Sequence, residues 1–356
     1  MMRAGEFRYH PARSLDDAAR ALADGGPQAV LLAGGTDLIP NMKRRQQTPE
    51  LLVGLRGVGE LRGISYDGEL TIGASTTLAD LVRDRRIAET HNALFRAAAQ
   101  IATPLVRNSA TLGGNLSIDT RCNYYNQNYD WREAIGFCKK APAPRGTAVE
   151  QPSDRDVCWV APSSPRCWAV SSSDAAPALI ALGARVTLTS VRGEREIALE
   201  LLYCDDGMQF MAREPDEILA AIRVPLAPRR STYWKLRRRG SFDFPVLGVA
   251  ASVQLTPNGV VDSARIVLGA VASRPLLLAE SDLLVGKPLT DDSIEQFAES
   301  AARHAKPLDN TDLQMTWRKK VAQSYLAGAL RELRGDDPST FPLLAREASR
   351  TLTPTW

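Results

Sequence analysis

Four of the five cysteines in this 356-residue chain lie in one stretch, and they are the residues with the clearest potential for chemistry. They are Cys122, Cys138, Cys158 and Cys167, with fifteen, nineteen and eight residues between successive members. No Cys-x-x-Cys pair occurs, so the spacing does not fit the common zinc ribbons or the bacterial ferredoxin runs. Four thiolates that converge in space can still hold an iron–sulfur cluster or zinc. From the residues alone, both metals and a ligand-free role in the core stay open.

Two Gly-Gly segments have the composition of loops that bind a diphosphate. The first is Ala33-Gly34-Gly35-Thr36-Asp37, followed by Leu38, and the second is Thr111-Leu112-Gly113-Gly114-Asn115. Glycines let backbone N–H groups approach an anion closely. Neither segment is a P-loop or a Rossmann fingerprint. The pair predicts two loops that close on one dinucleotide, and two unrelated tight turns are the alternative.

The bulk composition is that of a globular protein without a nucleic-acid or membrane signature. The 44 basic and 41 acidic residues leave a net charge of +3, which is too balanced to indicate nucleic-acid binding. No stretch reaches the roughly 20 apolar residues of a membrane span, and the N-terminus lacks the apolar segment of a signal peptide. We therefore expect a cytoplasmic protein, in which thiols stay reduced and serve metal binding or catalysis before disulfides.

Hydrophobic periodicity predicts alternating helices and strands on both sides of an irregular segment. The predicted helices cover 15–22, 78–84, 92–101 and 174–182, and the predicted strands cover 29–33, 51–55, 70–74, 185–190, 194–198, 233–239, 248–255 and 264–270. The stretch 217–226 closes the first half. Residues 116–172 are rich in proline and show no sustained periodicity, so a metal would supply the core that this segment lacks. Residues 227–232 read as a linker between two domains, and further helices follow to Gly335.

The glycine segments resemble the two diphosphate loops of the FAD-binding subunits of the molybdenum hydroxylases. Ser173-Asp174 resembles the third FAD segment of that family, and Lys235 resembles a lysine on a strand near the flavin. The resemblance implies an α+β chain. A vanillyl-oxidase-type (PCMH) FAD-binding domain with two α/β subdomains would cover 1–226, a smaller α+β domain would cover 227–335, and 336–356 would form an irregular tail.

The resemblance also implies which residues contact FAD. They are Ala33, Gly34, Gly35, Thr36, Asp37, Leu38, Thr111, Gly113, Gly114, Asn115, Ser173, Asp174 and Lys235. The backbone amides of the four glycines would neutralise the diphosphate. Lys235 would favour the reduced, anionic flavin through its charge.

Most members of the family pass from the Gly-Gly-Asn loop to the Ser-Asp segment within a few residues, whereas this chain inserts about 116–172 there. The motifs around Cys122 and Cys138 resemble the β subunit of 4-hydroxybenzoyl-CoA reductase. In that branch the inserted loop binds an additional [4Fe-4S] cluster. The resemblance therefore implies that the four clustered cysteines are its ligands.

The resemblance further implies partner subunits. A large subunit would hold the molybdenum cofactor and the substrate pocket, a small subunit would hold two [2Fe-2S] clusters, and two heterotrimers would pair. Electrons would come from a ferredoxin and serve the reductive removal of a ring hydroxyl from an aryl-CoA, with no catalytic residue on this chain. One alternative is an oxidising hydroxylase whose FAD subunit passes electrons outward. Another alternative is a non-enzymatic binding protein whose fold is stabilised by a zinc ion.

Overall fold

The computed structural model describes residues 3–143, 157–227 and 229–341, and these form three sheets with helices packed between them. The strands are β1 (Arg8–Pro11), β2 (Ala29–Leu32), β3 (Leu51–Gly54), β4 (Ile64–Asp67), β5 (Glu69–Gly73), β6 (Arg185–Ser190), β7 (Gly193–Ala198), β8 (Ile218–Pro225), β9 (Arg230–Leu236), β10 (Leu247–Leu255), β11 (Val261–Gly269) and β12 (Leu276–Leu277). The helices are α1 (Leu15–Gly25), α2 (Leu38–Lys43), α3 (Leu78–Arg83), α4 (Arg85–Thr90), α5 (Asn92–Gln100), α6 (Pro104–Arg107), α7 (Leu112–Leu116), α8 (Tyr129–Ala134), α9 (Ala175–Ala181), α10 (Asp291–Ala302) and α11 (Met315–Arg334). None of these helices is both long and apolar enough to cross a membrane.

The first sheet is parallel, with the strand order β1-β3-β2. Helix α1 packs against β2 and β3 and buries Ala18, Ala19 and Leu22. The side chain of Ser14 accepts a hydrogen bond from the Asp17 N–H and caps this helix. Helix α2 begins directly after the first glycine segment, so this small sheet positions that segment.

The second sheet is antiparallel, with the order β4-β5-β8-β6-β7. The alanine-rich helices α5 and α9 pack against each other in the core beside it, because their small side chains allow close approach. Helix α7, which carries the second glycine segment, packs against α9. The largest apolar core therefore lies directly beneath two of the three predicted FAD segments.

The third sheet is antiparallel, with the order β12-β11-β10-β9, and it lies between two layers of helices. Helices α10 and α11 complete the C-terminal core on one side. Tyr233, Ala250 and Val267 belong instead to the core that contains α5 and α9. The C-terminal sheet thus shares apolar surface with the FAD-binding half of the chain.

The mixed helix-and-sheet fold class is confirmed, and several local predictions were wrong. Strand β9 begins at Arg230, so the predicted linker 227–232 is shorter than expected, because Ser231 and Thr232 are buried in the sheet. The insertion contains helix α8, which Asn128 caps through the Trp131 N–H. Strands β1 and β4 were not predicted, because each is short and partly exposed. The predicted irregular stretches at 144–156 and 342–356 lie outside the described residues.

Candidate functional site

The first glycine segment presents free backbone donors. Among the residues that the structure describes, none accepts a hydrogen bond from the N–H groups of Gly34, Gly35, Thr36 or Asp37. Gly35 has a positive φ of 71°, which turns the chain sharply between β2 and α2. Consecutive unpaired N–H groups in such a turn form a concave site for an anion. This segment therefore fits a diphosphate.

The two glycine segments lie against each other. A Cβ atom on Gly34 would lie 2.1 Å from the carbonyl oxygen of Ser109, just before the second segment. A Cβ atom on Gly113 would lie 2.9 Å from the carbonyl oxygen of Ala74. Both contacts involve backbone atoms that a larger side chain could not displace easily. The glycines at these positions therefore allow the close approach of neighbouring segments.

The amides of the second segment already have acceptors inside the protein. Gly113 N–H donates to the Ala74 carbonyl at 2.8 Å, and Gly114 N–H donates to Thr111 Oγ1 at 3.1 Å. Thr111 thus caps the short helix α7. In this structure the free N–H donors for a diphosphate lie on the first glycine segment. The second glycine segment packs beside the first one.

Asn115 joins the second segment to the third. Its Oδ1 atom accepts hydrogen bonds from Ser173 Oγ at 2.9 Å and from the Ala175 N–H at 3.1 Å. Ser173 Oγ in turn accepts from the Ala176 N–H at 3.0 Å. All of these residues are buried. One amide side chain therefore holds together two segments that lie almost sixty residues apart in the chain.

Asp174 joins the third segment to Lys235 in a buried ion pair. Lys235 Nζ donates to Asp174 Oδ2 at 2.9 Å, and the Tyr233 hydroxyl donates to Asp174 Oδ1 at 2.7 Å. Lys235 Nζ also donates to the carbonyls of Gln100 and Asp243 at 3.2 and 2.8 Å. Burial raises the pKa of Asp174, and the charge of Lys235 acts in the opposite direction. The structure thus connects all the segments predicted to bind FAD.

The clustered cysteines are buried and free of disulfides. Cys122, Cys138 and Cys167 belong to one apolar cluster with Tyr125, Ala141 and Ala169. Cys158 is close enough to interact electrostatically with Cys138 and Cys167. The fold therefore brings the four predicted ligands into one region of the insertion.

Without a bound metal, the surroundings of the sulfurs favour neutral thiols. Burial raises the pKa of Cys122 to about 12 and that of Cys167 to about 11. Backbone hydrogen bonds from Tyr124 and Tyr125 to the Cys122 sulfur oppose this shift, and the Ala169 N–H lies 3.4 Å from the Cys167 sulfur. Hydrogen bonds to the sulfurs are typical of iron–sulfur sites. Buried cysteines with hydrogen bonds to two of their sulfurs are therefore the donor set that this region offers.

Proximity alone does not make a finished metal site. No group of three or more histidine, cysteine, aspartate or glutamate side chains among the described residues is arranged to hold a metal ion. The shared apolar cluster and the electrostatic coupling show that the thiols are neighbours. A bound metal would have to draw them closer together.

The insertion docks on the helix that follows the first glycine segment. Arg132, in α8, is buried and donates to the carbonyls of Arg44 and Arg45 at 2.7 and 3.1 Å, at the end of α2. Gln46 donates from its side chain to the Tyr125 carbonyl. Arg121 pairs with Asp37 of the glycine segment itself. The cysteine region and the first glycine segment are therefore direct neighbours.

Two residues that sequence reasoning missed help to form the cysteine region. A Cβ atom on Gly207 would lie 2.8 Å from the Cys167 sulfur, so only glycine fits there without displacement. Lys140 Nζ donates to Asp119 Oδ1 at 2.6 Å and to the Gly207 carbonyl at 2.6 Å. These contacts join residues far apart in sequence, and no local pattern marks them. Cys204, which is only half-buried, lies outside the cluster of thiols.

The comparison with known proteins agrees with this arrangement. Residues 5–227 match the FAD binding domain in molybdopterin dehydrogenase, and residues 231–333 match the CO dehydrogenase flavoprotein C-terminal domain. The chain belongs to the FAD-binding subunits of the molybdenum hydroxylase family. The FAD-binding role predicted from the glycine segments is thereby supported, and the subunit is part of an oxidoreductase.

Relatives of this FAD-binding subunit match it along almost their whole length. It is 28% identical to the xanthine dehydrogenase FAD-binding subunit of Escherichia coli O157:H7, over 91% of this chain and 94% of that protein. It is 30% identical to the carbon monoxide dehydrogenase medium chain of Afipia carboxidovorans, over 93% and 97%. A crystal structure of the Cu,Mo-CO dehydrogenase superposes with a TM-score of 0.74 at 28% identity, covering 94% of this chain and 99% of that one.

Proposed function

We propose that this FAD-binding subunit carries a [4Fe-4S] cluster on its insertion and serves a molybdenum enzyme that reductively dehydroxylates 4-hydroxybenzoyl-CoA or a related aryl-CoA. One observation carries the proposal. Four buried, free cysteines lie in an insertion that docks on the first glycine segment. An additional one-electron centre beside the flavin suits a subunit that receives electrons singly from a ferredoxin.

The residues of this chain would divide the work as follows. The free N–H groups of Gly34 and Gly35 would hold the FAD diphosphate, and Asn115 would keep the third segment in place. The ion pair of Lys235 with Asp174 would hold the third segment in place beside the flavin. The four cysteines of the insertion would hold the cluster as thiolates, and their burial would exclude water. When bound, FAD supplies one- and two-electron transfer and the cluster supplies one-electron transfer.

The substrate would bind on another polypeptide. We infer a large subunit with the molybdenum cofactor, a small subunit with two [2Fe-2S] clusters, and a dimer of such heterotrimers in the cytoplasm. The family assignment supports the molybdenum partner, since the matched domain is described by its place in molybdopterin dehydrogenase. It does not support the alternative of a non-enzymatic zinc-binding protein.

Metal and flavin analysis after anaerobic purification tests the proposal. We expect one FAD and four irons per chain, beyond the irons of the small subunit. Cys138→Ser should lower the iron content, because Cys138 is a proposed ligand, and it should leave FAD bound, because no hydrogen bond joins Cys138 to the described glycine segments. Cys204→Ser is the matched control, since Cys204 lies outside the thiol cluster, and its iron content should equal that of the wild type. Fewer than one iron per chain, or zinc in place of iron, would overturn the proposal of a [4Fe-4S] cluster.

A second candidate function is that of an FAD subunit in an oxidising enzyme. In that case electrons from the substrate would leave the enzyme through this chain. The names of its relatives favour it, because they are dehydrogenases of xanthine and carbon monoxide. A redox titration of the cluster and the flavin separates the two directions. A cluster potential well below that of the flavin supports inward flow, and a potential above it supports the oxidising enzyme.

A further inference from the structure

Arg121 is a buried cation placed between the insertion and the first glycine segment. It immediately precedes Cys122, and its guanidinium pairs with Asp37. It also donates to Asn41 Oδ1 at 3.3 Å, and its Cζ atom lies 4.7 Å from the centre of the Phe244 ring. The Arg121 side chain is only 5% exposed. The insertion, helix α2 and the C-terminal half of the chain therefore meet at this one side chain.

The carboxylate of Asp37 would repel a diphosphate bound to the first glycine segment, and Arg121 neutralises that carboxylate. Asp37 ends the segment whose backbone N–H groups are free to hold an anion. A carboxylate at that place would repel a bound diphosphate, since like charges at short range oppose each other strongly in a partly buried site. Within the described parts of the chain, Arg121 is the cation that pairs with Asp37. Its charge cancels that of the carboxylate.

Arg121 also keeps a spare donor. Its Nε atom is buried and has no hydrogen-bond partner among the described residues. A buried donor without an acceptor is costly, and such a group in a native protein calls for a ligand or another partner. Guanidinium groups suit phosphate because several N–H groups share one plane. The spare donor is compatible with an anion nearby, but it does not indicate one by itself, because the Nε atoms of Arg132 and Arg318 also have no hydrogen-bond partner among the described residues.

We propose that Arg121 is a positioning residue for FAD, which neutralises Asp37 and so allows the first glycine segment to hold the diphosphate. The inference deepens the proposed function and rests on its assignment of FAD to this segment. It gives the insertion a role in flavin binding besides any role in metal binding. The insertion would thus be part of the flavin site, because it supplies the cation that the glycine segment needs.

FAD titration of the deflavinated full-length chain tests the proposal. Arg121→Met should raise the dissociation constant at least about 10-fold, because Asp37 is left unpaired beside the diphosphate. Asp37→Asn should recover most of this loss when combined with Arg121→Met, since no carboxylate then remains to repel the ligand. Arg121→Lys, which keeps the charge, should bind better than Arg121→Met.

Arg166→Met is the matched control. Arg166 also lies in the insertion and forms an ion pair, with Asp205, away from the glycine segments. Arg166→Met should leave the FAD dissociation constant unchanged within about 2-fold.

The proposal is overturned if Arg121→Met binds FAD like the wild type, or if adding Asp37→Asn to Arg121→Met does not restore FAD affinity. If Arg121→Met does not fold, Asp37→Asn alone decides in its place: it should bind FAD at least as tightly as the wild type, because the carboxylate is gone, and clearly weaker binding would overturn the proposal. Iron analysis of the same samples tests the cluster separately, since missing iron would leave the ratios of FAD dissociation constants untouched.

Discussion

Single residues shape the cysteine region through close contacts. Gly207 donates its N–H to the Cys167 carbonyl at 2.9 Å and accepts from Thr120 and Lys140 through its own carbonyl. Its backbone therefore lies directly against a predicted metal ligand. The absence of a side chain at this position leaves room for the Cys167 sulfur, so glycine here has a steric role and not only a conformational one.

We expect Gly207→Ala to destabilise the protein by about 1–3 kcal/mol, the usual cost of overpacking. The added Cβ would lie 2.7 Å from the Ala169 nitrogen and 2.8 Å from the Cys167 sulfur, and the backbone atom cannot yield cheaply. Urea unfolding measures the change, and iron content should fall with it. Gly59→Ala is the control, because a Cβ there meets nothing within 4 Å. Equal stability of the two variants would contradict the expectation.

A buried carboxylate gives the protein a dependence on pH. Glu217 accepts from Arg195 at 2.5 and 2.8 Å and from the Glu214 N–H at 2.7 Å. The hydrogen bond from Arg195 is the main cause that lowers the pKa of Glu217. A carboxyl group with a lowered folded pKa stabilises the fold above its unfolded pKa of about 4.3, and this contribution is lost as the pH falls through the folded value.

Glu217→Gln should therefore be less stable than the wild type at pH 7, and the difference should shrink as the pH falls below about 4. Urea unfolding at a series of pH values measures it. Glu299→Gln, at an exposed position of α10, provides the control for a charge change without burial. A stability difference that stays constant from pH 7 to pH 3 would show that the carboxylate charge is not responsible.

Helix α7 is the element that fixes the second glycine segment. It is short, two of its residues are glycines, and it depends on the Thr111 cap and on packing against α9. The sequence predicted a loop here, because glycine is a poor helix former and the segment is polar. The capping threonine and the buried Leu112 and Leu116 overrode that preference. The cap and the packing against α9 therefore fix the position of the second glycine segment.

Thr111→Val should cost about 0.5–2 kcal/mol of stability, because the Gly114 N–H loses its acceptor at the start of the helix. FAD affinity should fall as well, since the same helix carries Asn115. Thr111→Ser keeps the hydroxyl and should stay close to the wild type. Urea unfolding and FAD titration measure both effects. The cap has no such role if Thr111→Val and Thr111→Ser behave alike.

Local signals in the sequence predicted the elements well and their connections poorly. The helix that begins at Leu15 and the strand Arg185–Ser190 follow from short-range patterns, and the structure contains both. The contacts of Asn115 with Ser173 span the whole insertion, so no local pattern indicates them. The same holds for Arg121 and Asp37, whose pairing depends on how the insertion docks. The family resemblance identified the segments predicted to bind FAD, whereas the contacts between these segments are seen only in the fold.

At the scale of the whole molecule, a shared apolar core and a polar hub around Glu332 are among the contacts that join the two halves of the chain. The C-terminal sheet contributes Tyr233, Ala250 and Val267 to the core built around α5 and α9. Beside it, Glu332 of α11 accepts hydrogen bonds from Arg96 of α5 at 2.6 Å and from Trp234 at 2.7 Å. The hub therefore links a helix of the FAD-binding half to the C-terminal half. We expect the two halves to unfold together.

A double-mutant cycle at this hub measures how strongly the halves are coupled. Arg96→Met and Glu332→Gln should each destabilise the protein, because each leaves a largely buried partner, 16% or 11% exposed, without its counter-charge. The double variant should lose less than the sum of the two, with a coupling of about 0.5–3 kcal/mol. Urea unfolding followed by fluorescence and by circular dichroism provides the free energies and shows whether one transition or two occur. Strictly additive losses would mean that Arg96 and Glu332 contribute no coupling energy, and separate transitions in the wild type would mean that the halves fold independently. The flavin site would then owe its rigidity to the FAD-binding half alone, even though Lys235, its predicted cation, lies on a strand of the other half.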